Sequence, residues 1–189
     1  MPVGATWTYT EIDAAGTEQR VVVEVTEETK LITGIAARVV HDQVTEDGEL
    51  IEDTFDWYAQ DAQGNLWYLG EDTKEYEGGE VVSTAGSWEH GVDGAMAGII
   101  LPASPATGMA FRQEYYAGEA EDNAQILSVS EFVAVQAGEF QDVVMTRDTT
   151  PLEPDILEYK FYAPGVGLVM ALSVSPDFAR EELIESTGL

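Results

Sequence analysis

Apolar and polar residues alternate with period two along most of this chain. Thr6 to Ile12, Gln19 to Thr26, Ile35 to Val44, Leu50 to Gln60 and Leu66 to Leu69 are rich in Val, Ile, Thr, Trp and Tyr, and turn-forming residues bound each run. Side chains of a strand point alternately to opposite faces, so this period predicts half-buried β-strands. The breaks at Asp13 to Gly16, Thr33-Gly34, Asp47-Gly48 and Asp61 to Asn65 place glycine or asparagine where the chain must take positive φ to reverse. Such short breaks predict antiparallel hairpins.

The pattern repeats. Shifted by 104 positions, residues 4–66 fall on 108–170 with one residue dropped near the end. Gly4 meets Gly108, Trp7 meets Phe111, Gly34 meets Gly138, and Phe55, Trp57, Tyr58 and Ala59 meet Tyr159, Phe161, Tyr162 and Ala163. Glycines, apolar pairs and aromatics agree while charges scatter, as expected where two copies share a backbone and a core. The second copy predicts strands near Ala110 to Tyr116, Gln125 to Val135, Phe140 to Arg147, Ile156 to Tyr162 and Gly167 to Ser173, about ten in all. Five strands alone would expose an apolar face and two edges, whereas two units cover each other's faces or join edge to edge. The expected fold is therefore all-β, an antiparallel barrel, half-barrel or sandwich of two repeats in a single domain spanning 1–189. Repeat one covers 4–70, a crossover 71–107 and repeat two 108–172. The crossover starts charged and ends rich in small residues, with Gly91, Gly94, Ala95, Ala97 and Gly98 allowing close backbone approach; it reads either as a piece packed on the barrel or as a surface connection. Ser175-Pro176 suits a helix start, and a short C-terminal helix over 175–187 carrying Phe178, Leu183 and Ile184 is expected as a terminal cap.

Charge narrows the partners. Asp plus Glu number 36 against 8 Lys plus Arg, a formal net charge of -28. Nucleic acid and anionic membrane surfaces would repel such a chain. A solvated acidic surface suited to salty or extracellular surroundings is one reading; cation binding is the other. There is no cysteine, so disulfides, thiolate metal sites and a cysteine nucleophile are excluded. No apolar run is long enough to cross a bilayer as a helix.

The phrases DWYAQDAQGNLWYLGEDTKEYEGG (56–79), GSWEHGVDGA (86–95), EYYAGEAED (114–122) and YAPGVGLV (162–169) resemble an uncharacterised family of secreted, β-rich bacterial proteins over roughly Gly4 to Leu172. More distantly, Gly4, Trp7 and Tyr9, with Val135 to Phe140, are similar to the half-barrels of periplasmic lipoprotein carriers. The resemblance implies an antiparallel barrel and an extracellular or periplasmic location with the leader removed. It carries over no reaction and no catalytic residues, and family members have a small residue in place of His90.

Several residues could carry chemistry. Glu114 and Tyr116 fall on one face of a strand beside Glu119, Glu121 and Asp122; in an enclosed pocket Glu114 would gain a raised pKa and serve as general acid or base, with Tyr116 as donor. The same residues also read as an acidic loop tip, with Glu114 paired to Arg112. Asp56 aligns with Lys160 in the repeat, an acid-to-base divergence between conserved-looking aromatics, or simple drift. His90, on the crossover after Trp88 and Glu89, could reach a cavity or lie exposed. Asp61 and Asn65, with Asp56, Glu71 and Asp72 close in sequence, offer oxygen ligands suited to calcium, although the turn residues also read as a hairpin in which Asp61 bonds its own backbone and Asn65 is left-handed. Zinc spacings, a Gly-x-Ser-x-Gly nucleophile and phosphate-binding glycine loops are absent. Trp57, Tyr58, Trp67, Trp88 and Tyr115, with Tyr68, Tyr76, Tyr116, Phe161 and Tyr162, supply aromatic surface on both strand faces, for a core or a ligand cup.

These readings converge on a small-ligand-binding β-barrel protein, extracellular or periplasmic, without a cofactor and taking a hydrophobic or cationic molecule. A cofactor-independent acid–base enzyme using Glu114, Tyr116, Asp56 and His90 is the alternative, and a calcium-stabilised structural module the third.

Overall fold

The computed structural model describes residues 1–175 and 178–189. The first run of strands is β1 (Thr6–Asp13), β2 (Glu18–Ile32), β3 (Ile35–Glu46), β4 (Glu49–Gln60) and β5 (Leu66–Glu77), each antiparallel to the one before. Two of its hairpins turn on Thr33-Gly34 (φ 47° and 90°) and Asp47-Gly48 (φ 52° and 84°). Positive φ at both central residues matches the twist of the flanking strands. β2 shifts register between Val25 and Thr29, and Arg38 Nη1 donates to the freed carbonyls of Glu27 (3.0 Å) and Glu28 (3.1 Å).

The crossover is built into the sheet. It adds to β5 the short strands β6 (Glu80–Ser83), β7 (Trp88–Glu89) and β8 (Met96–Leu101). The strand expected over Ala110 to Tyr116 is split. β9 (Ala110–Arg112) joins the far end of the sheet, while β10 (Glu114–Tyr115) pairs with β8, so Gln113 carries the chain across the seam between the two ends. The seam is tight because Gly98 has no side chain: a methyl there would overlap the Gln113 carbonyl.

The second run is β11 (Asn123–Val135), β12 (Gly138–Thr149), β13 (Leu157–Ala163) and β14 (Gly167–Ser175), again a meander, with β9 at its outer edge. Last comes β15 (Ala179–Thr187). Among the described residues all fifteen strands form one antiparallel sheet, ordered β10-β8-β5-β4-β3-β2-β1-β15-β14-β13-β12-β11-β9, with β6 and β7 branching from β5. The fold is all-β, an open half-barrel.

The C-terminal helix is not formed. Ala179–Thr187 is a strand laddered to β1 on one side and β14 on the other; Pro176, the expected first helical residue, lies outside the described residues. Without β15 the two meanders would meet through bare edges, so pairing on both sides outweighs a short helix. Its alternation fits: Glu181 and Leu183 point to one face, and Leu183 is fully buried in a cluster with Tyr9, Val143, Phe161 and Val169. The tip of the β11–β12 hairpin folds over this cluster, Ala137 N donating to Leu183 O at 3.0 Å.

Candidate functional site

The inner face of the half-barrel holds an open cavity of about 420 Å³. Alternation fixes its walls. Trp7 and Tyr9 on β1, Val21 and Val23 on β2, and Val40 and Asp42 on β3 face inward in register. Asp56 and Tyr58 on β4, Lys160 and Tyr162 on β13, and Glu181 on β15 complete the ring. At one end this space adjoins a larger, mainly apolar mouth of about 640 Å³ through Trp7, Tyr58, Leu66, Leu101 and Tyr162, with Pro102, Pro105 and Pro164 beyond. It also adjoins two polar chambers. One, of about 280 Å³, is walled by Tyr68, Glu71, Glu114, Asp122 and Lys160; the second, of about 470 Å³, by Glu11, Asp42, Glu52, Glu75 and Glu181. The interior therefore runs from apolar to acidic.

Burial sets its electrostatics. It pushes Glu71 and Glu114 up to about 8, helped by the charge of Asp56 on the first and of Asp122 and Glu71 on the second. It raises Asp42, Asp56 and Glu181 to about 7, and Asp122 and Glu11 upward as well. Among the described residues Lys160 is the basic side chain on the central walls and the acidic chambers. Burial alone would lower its pKa, but Asp148, Tyr162 and Glu158 outweigh that and keep it charged; Asp148 and Glu158 lie 3.5 Å from Nζ.

One arrangement stands out chemically. Tyr68 Oη lies 2.5 Å from Asp56 Oδ1 and 2.9 Å from Glu71 Oε2. A phenol has one proton to give, so both contacts are hydrogen bonds only when one of the carboxyls is protonated. Nearby, Trp88 Nε1 donates to Glu114 Oε2 at 2.8 Å, and Trp88 meets Tyr68 edge-on at 5.4 Å while Tyr58 stacks on Tyr68 at 4.9 Å. The array can exchange protons and can accept N–H or O–H donors. Asp42 Oδ1 is buried without a hydrogen-bond partner.

Glu114, Asp56 and Tyr58 stand on the interior walls, and the structure brings Trp88 to Glu114. Tyr116 packs with Tyr68, Trp88 and Ala120 behind the wall rather than lining it. His90 is held in its loop, Nδ1 accepting from Ala97 N at 3.1 Å, away from the cavity walls. Trp57 and Trp67 belong to an apolar cluster with Ile32, Val39 and Leu69, with Lys30 Nζ 3.2 Å from the centre of the Trp57 ring. Tyr115 stacks with the Arg112 guanidinium. Asp61 is saturated by its own turn: Oδ1 accepts from Gln63 N and Asn65 N, both 2.9 Å, and Oδ2 from Asn65 Nδ2 (2.8 Å) and Trp67 Nε1 (2.9 Å). These bonds, from Trp67 and Asn65 first, hold Asp61 down at about 2. Gly64 (φ 95°), not Asn65, takes the left-handed position, and Asp56 lies apart in the interior. Among the described residues no three His, Asp or Glu side chains converge with metal-binding geometry.

Sequence reasoning missed Asp42 and Glu181, had Tyr9 only as part of the resemblance, and named Glu71 as a possible cation ligand and Tyr68 and Tyr162 as aromatic surface without placing them on these walls. Tyr162 was reachable through the repeat, since it aligns with Tyr58 and both line the cavity.

An open antiparallel sheet curled round a lined cavity defines an all-β half-barrel. A solved structure shares this form. An inferred exported protein with a YmcC-like fold from Bacteroides fragilis superposes with a TM-score of 0.55 at 14% identity, over 98% of this chain and 96% of that one. An inferred lipoprotein from Parabacteroides distasonis gives 0.48 at 13% identity, over 98% of this chain and 95% of its own. At 14% identity the likeness to the first is one of fold. No protein-family model matches the chain, and no curated protein sequence does.

Proposed function

We propose that this protein binds a small molecule with an apolar portion in the cup of its half-barrel, and that it works in the bacterial envelope or outside the cell. The observation that carries the reading is the central cavity, walled by inward residues of β1 to β4, β13 and β15 and joined to an apolar mouth. Pockets of ~300–1,000 Å³ with mostly apolar walls and a few polar groups are the usual form of small-ligand sites. The location is supported by the fold, shared with a protein inferred to be exported, and by the acidic composition.

N-phenyl-1-naphthylamine, a neutral dye that fluoresces in apolar surroundings, tests the reading. Saturable enhancement is expected, and Leu101→Trp, which fills the junction of cavity and mouth, should abolish it with little change in Tm. Absence of enhancement with the native protein, or full enhancement with the Trp variant, would overturn it.

A second reading, acid–base catalysis, draws on the Asp56–Tyr68–Glu71 array beside Glu114. On that reading Glu114→Gln cuts turnover roughly 100-fold while leaving the fold intact. Unchanged turnover in that variant would sink it.

A further inference from the structure

We propose that the ligand of this cavity is an amphipathic cation, a primary alkyl amine whose chain lies in the apolar mouth and whose ammonium is held between Asp56, Glu71 and the surrounding tyrosines. The inference rests on the binding reading above and adds the chemistry of the head group.

The mouth and the upper cavity offer Trp7, Val23, Val40, Leu66, Leu101 and Ile100, which suit a hydrocarbon chain. The inner end is different. Carboxyl groups reach it from separate elements: Asp42 from β3, Asp56 from β4, Glu71 from β5 and Glu114 from β10. Asp122 and Glu181 flank them, and Glu11 and Glu52 stand in the adjoining chamber. Lys160 offsets this set only in part: its ammonium is engaged by Asp148 and Glu158, and although its charge pulls Glu114, Asp122 and Glu181 downward, burial still leaves all three above their ordinary values. An anionic head group would be opposed by every carboxyl that is ionised, with Lys160 the one basic group on these walls among the described residues, and an alcohol would leave the acceptors largely unmatched. An ammonium supplies three N–H donors. It also gains from Tyr58 and Tyr162, whose rings border the same space and attract cations over their faces. A bare metal ion fits poorly, since the carboxyls are spread along the walls and no three converge among the described residues. The buried, unpartnered Asp42 Oδ1 is a further acceptor on the wall of the central cavity.

Proton linkage gives the proposal a sign. Carboxyls raised by burial are partly protonated at neutral pH, and an incoming ammonium stabilises their charged form. Binding an amine therefore releases protons to solvent, whereas binding a fatty carboxylate takes them up.

Titration calorimetry with decylamine, decanol and decanoate, each in two buffers of different ionisation enthalpy at pH 7.5, tests this. Decylamine should bind at least ten-fold more tightly than decanol, with net proton release, and decanoate no better than decanol. The pair Asp56→Asn and Glu71→Gln should reduce the amine-over-alcohol preference by roughly 10-fold or more, the size expected of hydrogen bonds to charged groups. If decanol or decanoate matches decylamine, the cationic head group is wrong while the cavity reading stands. Preference retained in the double variant would overturn the placement of the ammonium. Failure of all three ligands, together with failure of N-phenyl-1-naphthylamine, would remove both readings.

Discussion

Tyr68 makes the residue scale concrete, because one phenolic proton serves two carboxyls and forces the pair to hold another. Its consequence for stability has a definite sign. Glu71 and Glu114 stand at about 8 in the folded protein, and Asp42, Asp56 and Glu181 at about 7, but all return to about 4 when the chain unfolds. Between those values the native state binds more protons than the unfolded one. Their contribution is thus fully present below about pH 4 and is lost as pH rises through 7 to 8. Asp61 and Asp13, lowered by turn hydrogen bonds, act oppositely and only at more acid pH. Tm should therefore be highest near pH 5 and fall by several degrees toward pH 9, at ~2–4 °C per kcal/mol for a chain of this size. Glu71→Gln should flatten the slope. A Tm that holds steady or climbs from pH 5 to 9 in molar NaCl, where surface repulsion is screened, would contradict this. The sequence displayed part of this site. Asp56 stood out because its repeat partner is Lys160, and both line the cavity. In the sequence Glu71 reads as a possible cation ligand and Tyr68 as aromatic surface, but nothing there places them together beside Asp56, because a register shift between Asp56 and Tyr58 alters which residues of β5 face inward, and a bulge leaves no mark in periodicity.

At the scale of elements, alternation and turn residues marked nearly every strand of the two meanders, since burial on one face and reversal at Thr33-Gly34 or Asp47-Gly48 are local requirements. What escaped was non-local. β15 is a strand because β1 and β14 need a partner, and the Ala110 to Tyr116 segment is split because Gln113 must cross to β8. Gly98 is the residue on which that crossing depends. Gly98→Ala places a methyl against Gln113 backbone, which has little freedom to yield: its amide donates to Asp122 O at 2.8 Å, and its side chain to Asp148 Oδ2 at 3.3 Å. The substitution should cost more than ~2 kcal/mol and speed amide exchange at Gln113 and Glu114 relative to β2 and β3. Equal protection in variant and native protein would show that the seam tolerates a side chain.

For the whole molecule the dominant fact is a formal charge of -28 on 189 residues. Some of the acid is inside, partly protonated and so not repelling; the rest is on the surface, where like charges oppose the compact state. Screening shortens their reach from ~10 Å at 0.1 M salt to ~3 Å at 1 M. Tm should accordingly rise between dilute buffer and molar NaCl at pH 7.5. Divalent ions refine the test, because a specific calcium site would stabilise at far lower concentration than magnesium, whereas screening treats the two alike. Asp61, already bonded to its own turn and Trp67, has no carboxylate oxygen left idle. Equal Tm gains from millimolar calcium and magnesium are therefore expected, both following ionic strength. A rise confined to calcium would mean that the Asp61–Asn65 turn reorganises around the ion, and a Tm indifferent to every salt would mean that surface repulsion does not limit this fold.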